Sequence, residues 1–363
     1  MKNTLTFHIL FPITIMLLST TAWTQNIATP RTPSPGAEVK QTIGISTITV
    51  NYSRPSVKGR KIWGELVPYG WNVEPGGTPH KTPWRAGANE NTTIEFSHAA
   101  KVEGKQVPAG KYGLFYVINS DNTGEVVLSK DNRSWGNFFY DPASDFMRAN
   151  ITIRENAMTE ALTYDFINLS KNSAELVLNW EKKQFPVKIE FNVDDIVIAN
   201  AAEQLKGSMG FTWQGYSSAA NYSLQNRIYP EQGLVWADRA VTMNKNFNTL
   251  NTKAGLLRMQ GKTDDADKMQ AEALTLANEV ELNAYGYQLL NQNKMDEAIK
   301  AFKENTVRYP DSANAWDSLG EGYAIKGDKE NAVKAFKKSL SLNPNEATKA
   351  NSVKYMKQLG EMK

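Results

Sequence analysis

The sequence predicts two domains of different class. An antiparallel β-sandwich, jelly-roll-like or barrel-like, is expected over residues 37–193, and an all-α helical repeat domain over 194–363. Three observations carry this. From Val39 onward apolar and polar side chains alternate with a period of two, and Gly, Pro and Asn/Asp clusters separate the runs. After Val193 the period changes to 3.6. Between 279 and 346 the same residue types recur 34 positions apart, the period of a helix–turn–helix unit.

Composition narrows the chemistry before any element is placed. The 363 residues contain no cysteine, which excludes disulfides, cysteine-ligated zinc and thiol catalysis. Basic residues number 41 and acidic residues 38; a net charge of +3 is too small for a nucleic-acid footprint. Of the three histidines, one falls in the leader, leaving His80 and His98.

Residues 1–24 read as a secretory signal peptide, with Lys2, an apolar run from Ile9 to Leu18, and cleavage after Ala22 or Thr24. The apolar run is shorter than the roughly 20 residues a membrane anchor needs. No later segment is apolar enough to span, so the mature protein is expected in the periplasm or secreted. The lack of cysteine agrees with an oxidising compartment. Residues 25–36 (QNIATPRTPSPG) read as a linker.

The expected strands are VKQTIG, ISTITVNYS, 92–100, 111–120, 125–130, 161–170, 174–184 and 185–193, with Gly44 marking a hairpin. Parallel sheets need crossover connections of about a dozen residues, usually helical, and no such helical pattern precedes Asp194. Residues 54–91 are different. This is a long stretch of weak periodicity carrying Trp63, Tyr69, Trp71 and Trp84 among Arg54, Lys58, Arg60, Lys61, Lys81 and Arg85. A loop of that length in a compact domain is usually functional or disordered, and its aromatic content argues for the former.

The helical region opens with Asp194 and Asp195, which suit a helix N-terminus. Leu282 pairs with Trp316, Gly286 with Gly320, Leu289 with Tyr323, Ala298 with Ala332, Phe302 with Phe336, and Pro310 with Pro344. Small Gly and Ala let two helices touch, Phe fills the space between them, and Pro ends the second helix. Two weaker units precede these, one of them with Ala266 in register and Gln270 in place of Phe. Four helix pairs over 211–346 and a final capping helix are expected. The pattern resembles tetratricopeptide repeats, whose W-x₂-L-G-x₂-Y, A-x₃-F and Pro stand here as Trp316–Tyr323, Ala332–Phe336 and Pro344.

Residues from about 34 to 190 resemble the domain-of-unknown-function 2911 family. The resemblance rests on PSPGAEVKQTIG (33–44), VNYSRPSVKGRKIWGELVPYG (50–70), WRAGANENTTIEFS (84–97) and VPAGKYGLF (107–115). It implies an exported protein of the Bacteroidetes group and brings no catalytic assignment. In that family V-P-Y-G leads almost directly into W-R-x-G-A-N-E; here residues 71–83, with His80, lie between. The motif residues Arg54, Arg60, Tyr69, Trp84, Arg85, Asn89 and Glu90 are the ligand-site candidates.

The residue types leave two readings open. An arginine near a carboxylate clamps an anion, or it forms an internal ion pair that pins the long loop. Tyr69 and Trp84 stack on a sugar or aromatic ligand, or they form a small core. G-x-S-x-G and H-E-x-x-H are absent, and His80, His98 and Glu90 lack metal-site spacing, so neither a metal nor a cofactor is expected. Glu65, Glu74 and Glu90 are the carboxylates available to a paired-acid glycosidase. On the repeats, Asn283, Asn314 and Asp317 are candidates for a peptide groove. The sequence thus points to an exported binding and scaffolding protein. In that reading the sandwich binds a small molecule, glycan or partner, and the repeats dock a protein or peptide. The alternative is a hydrolase of carbohydrate or cell-envelope material with its site on the long loop.

Overall fold

The computed structural model describes residues 33–362; the expected leader and most of the linker lie outside them. The chain divides into two compact units. One comprises Thr47–Glu190 with the residues up to Thr42; the other comprises Phe191 onward with Ile43–Ser46.

The first unit is an antiparallel sandwich. Its strands are β1 (Gly36–Ile43), β2 (Ser46–Ser53), β3 (Asn72–Val73), β4 (Lys81–Thr82), β5 (Thr93–Phe96), β6 (Ala100–Val102), β7 (Lys105–Val107), β8 (Gly110–Ile118), β9 (Thr123–Ser129), β10 (Asp145–Thr152), β11 (Arg154–Ile167) and β12 (Ser173–Glu190). A six-stranded sheet runs β1-β2-β5-β8-β9-β10, a four-stranded sheet β11-β12-β6-β7, and β3-β4 form a small ladder. In β2, Ile48, Val50 and Tyr52 point inward while Thr47, Thr49 and Asn51 are half-exposed, the alternation the sequence shows. Gly44 turns β1 into β2 with φ +58.

Three expectations are corrected. The run 92–100 is two strands in different sheets, β5 and β6, broken at the exposed Ser97 and Ala99. The runs 174–184 and 185–193 are one strand. β12 pairs with β11 up to Gln184 and with β6 from Ile189, so Pro186, which has no N–H to donate, falls between the two ladders. Finally, β10 was not expected: DFMRANIT buries Met147, Ala149 and Ile151, but Arg, Ala and Asn are weak strand formers and mask the alternation.

The second unit holds α1 (Val193–Gln204), α2 (Trp213–Asn226), α3 (Pro230–Met243), α4 (Phe247–Met259), α5 (Thr263–Leu276), α6 (Glu279–Asn291), α7 (Met295–Arg308), α8 (Ala313–Lys326), α9 (Lys329–Ser341) and α10 (Glu346–Gln358). Helices α2/α3, α4/α5, α6/α7 and α8/α9 pack as pairs, and α10 packs on α8 and α9. Asp194 and Asp195 occupy the first turn of α1. The 34-residue spacing has a direct steric meaning. A β-carbon on Gly286 would lie 2.3 Å from the Phe302 ring, and one on Gly320 would lie 2.7 Å from Phe336. Both phenyl rings are fully buried, as are Ala298 and Ala332. In the earlier unit the buried Gln270 takes the Phe place, Arg258 donating to its side-chain oxygen.

Candidate functional site

The long segment 54–91 is built into the sandwich rather than laid over it. Beyond the end of β5, the edge of β8 is taken up by Trp84. Trp84 and Tyr116 exchange backbone hydrogen bonds of 2.8 and 2.9 Å, and Gly70 N–H donates to Ile118 O. Residues 71–83 form the β3–β4 hairpin, which Thr78 N–H ties to Phe138 O.

The run WRAGANE then makes a tight turn. Ala86 and Asn89 have φ of +53 and +64, a left-handed conformation that costs a β-carbon-bearing residue about 1 kcal/mol or more. The carbonyl of Ala86 accepts from both Thr92 Oγ1 and Tyr164 Oη, each at 3.1 Å. Gly87 is required where a β-carbon would lie 2.7 Å from Thr92 Oγ1. The turn is therefore fixed from outside by buried hydroxyls, and this sets the direction in which Arg85 leaves the chain.

These segments enclose a cavity of about 600 Å³. Arg60, Trp84, Arg85 and Asn89 line it; Arg54, Tyr69 and Glu90 do not. Arg54 is turned toward β11, donating to Leu162 O at 3.0 Å and Thr163 Oγ1 at 2.6 Å. Arg60 curls back on its own loop, donating to the carbonyls of Val57 and Ser56. Tyr69 is exposed and lies against Gly64, and Glu90 is exposed. Trp84 stacks on Trp180 at 5.7 Å and 13°, with Trp63 edge-on to both.

Arg85 is the half-buried cation of the cavity. Its Nε donates to Asn137 Oδ1 at 3.1 Å and its Nη1 to Asn89 O at 2.9 Å. Gly136, with φ +59, closes on the guanidinium: a β-carbon there would come within 2.5 Å of it. Asn137 in turn donates to Glu74 Oε2 at 2.8 Å and to Thr82 Oγ1 at 3.1 Å. An amide thus stands between the cation and the nearest carboxylate of this set. Burial pulls the Arg85 pKa down, and the charge of Glu74 pulls it partly back. Among the described residues Arg85 forms no ion pair; neutral oxygens hold it.

The other expected chemistry is dispersed. Of Glu65, Glu74 and Glu90, Glu74 alone lines the cavity, while Glu65 pairs with Lys61 on the surface. His80 is exposed in the hairpin turn. His98 Nδ1 is 2.9 Å from Ser97 Oγ, but that oxygen already accepts from the Thr47 N–H. No group of three metal-ligating side chains is found among the described residues. The residues the sequence did not single out are Asn137, Tyr116 and Trp180. They come from an irregular stretch and two core strands, and no spacing links them to Arg85. The hairpin 71–83, where the sequence departs from the pattern it resembles, supplies Asn72, Glu74 and Thr82 to the wall.

Comparison with known families assigns both parts. Residues 34–189 match the model described as "Protein of unknown function (DUF2911)", and residues 313–346 match the tetratricopeptide repeat model. The chain carries a DUF2911 domain followed by a tetratricopeptide-like repeat region. No curated protein matches it. Solved structures similar to it include MamA, at 19% identity over 42% of this chain and 89% of that chain, with a TM-score of 0.29. YrrB, titled a TPR protein with an unusual peptide-binding site, is 20% identical over 45% of this chain and 84% of its own, with a TM-score of 0.28. PilF of Pseudomonas aeruginosa is 22% identical over 43% and 72%, with a TM-score of 0.29.

In the DUF2911 domain the cavity brings together four of the seven motif residues, Arg60, Trp84, Arg85 and Asn89. In the tetratricopeptide-like region the three groove candidates are not alike. Asn314 is exposed in the first turn of α8. Asn283 is half-buried on α6, and its Oδ1 has no partner among the described residues. Asp317 is 5% exposed, and its carboxylate accepts from Ser352 Oγ and, at 2.8 Å, from Asn351 Nδ2 of α10. Burial holds the Asp317 carboxyl above the usual range against these two hydrogen bonds, and Glu321 pushes it the same way. Among the described residues no helix is long and apolar enough to cross a membrane.

Proposed function

We propose that the protein is an exported binding and scaffolding protein. Its DUF2911 domain binds a small ligand in the Arg85 cavity, and its tetratricopeptide-like region docks a protein or peptide. The observation that carries the reading is the cavity itself. It is concave, more apolar than polar, and has polar groups that converge on one half-buried cation, a make-up that suits a small-molecule site. Left-handed backbone at Ala86 and Asn89 beside that cation fits the clustering of strain at ligand clamps. For the repeats, support comes from the stacked helix pairs, an architecture that presents a concave face to peptides and proteins. Export is supported by the leader-like residues 1–24. A paired-carboxylate hydrolase gains no second acid beside Glu74 on the cavity wall.

A thermal-shift screen of the full chain tests the reading, with sugars, muropeptides, nucleotides, organic acids and short peptides as the panel. A ligand that binds only the folded state raises the melting temperature by linkage. A rise that disappears in Arg85→Ala is the expected result. A flat response across the panel contradicts ligand binding at this cavity.

A further inference from the structure

We propose that the cavity takes a small organic acid, its carboxylate on Arg85 and its apolar body against Trp84 and the neighbouring prolines. The inference rests on the ligand-binding reading above and narrows it to a chemical class.

Charge comes first. Lys58, Arg60 and Arg85 line the cavity against one acid, Glu74. Arg85 spends Nε and one Nη1 hydrogen on neutral oxygens, and Nη2 makes no hydrogen bond among the described residues. A half-buried guanidinium whose one carboxylate, Glu74, is reached only through the Asn137 amide is incompletely compensated, and it is steadied further once an anion reaches it directly. The clamp of Gly136, Asn137 and Asn89 holds it in place beforehand, so binding costs little ordering.

Shape and polarity come second. Pro55, Pro68, Pro83, Val67 and Ile118 form apolar wall beside Trp84, whose ring is fixed by stacking on Trp180. That surface suits a flat hydrocarbon body rather than a heavily hydroxylated one. Glu74, joined to Arg85 through Asn137, disfavours a multiply charged phosphate.

The test is calorimetric titration of the full chain with four acids and their neutral amides: acetate, hexanoate, phenylacetate and indole-3-acetate. The expected result is that phenylacetate or indole-3-acetate binds about tenfold or more tightly than its amide, the loss of one charge-assisted hydrogen bond. Arg85→Gln should abolish that preference. Arg154→Gln, which removes an arginine paired with Glu175 and outside the cavity lining, should keep it. Equal binding of acid and amide overturns the carboxylate assignment and leaves the ligand-binding reading standing. A response to a sugar or nucleotide with none to any acid does the same. No binding by any acid, amide, sugar, nucleotide or peptide overturns both.

Discussion

The Nε of Arg85 donates to the side-chain oxygen of Asn137, and the amide nitrogen of the same Asn137 donates to Glu74. Cation and carboxylate are thereby linked without forming an ion pair. The arrangement holds the guanidinium in one orientation with its carboxylate one amide away. It also makes Asn137 the one side chain that satisfies both groups at once. Replacing it by alanine leaves a half-buried donor on Arg85 and a half-buried acceptor on Glu74 without this partner, at a cost of about 1 kcal/mol or more. Asn137→Ala should therefore unfold at lower denaturant concentration than the wild type. An unchanged midpoint would show that the relay is not formed.

The turn that aims Arg85 makes a separate prediction. Asn89 sits at φ +64, so a β-carbon there costs about 1 kcal/mol unless the residue is Asn, Asp or Gly. Asn89→Ala and Asn89→Gly both lose the hydrogen bond to Ser34 O. The glycine variant should nonetheless be the more stable of the two by about 1 kcal/mol in chemical denaturation. The reverse order would contradict a left-handed turn at this position.

In the repeats the spacing of Gly286 and Phe302 is a steric requirement. Alanine normally stabilises a helix by about 1 kcal/mol over glycine. At position 286 its β-carbon would fall 2.3 Å from the Phe302 ring, and overpacking of this kind typically costs about 1–3 kcal/mol. Gly286→Ala should lower the stability of the helical unit, and the second change Phe302→Leu should recover part of it. A more stable Gly286→Ala would mean that the two helices do not meet there.

Asp317 gives a pH prediction. Its folded-state pKa is raised above the ordinary 3.8, chiefly by burial. The folded state therefore holds the proton more tightly than the unfolded state. The contribution to stability is fully present below the unfolded value and is lost as pH rises through the raised one. Asp317→Asn, which stays neutral, should gain in melting temperature relative to the wild type between about pH 4 and pH 7. A gap that shrinks as pH rises would contradict the buried, proton-retaining carboxyl.

Much of the fold is legible in the residues because short-range rules set it. Ile48, Val50 and Tyr52 declare β2, and the Gly286–Phe302 spacing, repeated at Gly320–Phe336, declares the helix pairs. β10 is hidden because Arg148, Ala149 and Asn150 carry little strand preference. The division read between 184 and 185 is not a break, because β12 runs on through it, with Pro186 where it changes partner. The site is legible only in part. Trp84 and Arg85 stand out as an aromatic and a cation in an aperiodic loop. Asn137, Tyr116 and Trp180 reach the same cavity from distant segments, and only tertiary packing brings them there. The sequence also leaves open whether Arg85 meets a carboxylate or an amide, because its direct partner is the distant Asn137 while Glu74, much nearer along the chain, is reached only through that amide.

The most direct test of the account is the melting temperature of Arg85→Met in the absence of any ligand. Met keeps the side chain's bulk and removes its charge. If Arg85 is a cation held ready for an anion, relief of its incompletely compensated half-buried charge offsets the hydrogen bonds lost at Asn137 Oδ1 and Asn89 O, and the sandwich transition should stay close to that of the wild type. Asn137→Ala should then cost less in the Arg85→Met background than alone, because the two groups are coupled. If Arg85 is instead a structural pin, Arg85→Met should melt lower by more than about 5 °C, the equivalent of roughly 2 kcal/mol in a domain of this size, and that result would contradict the central claim.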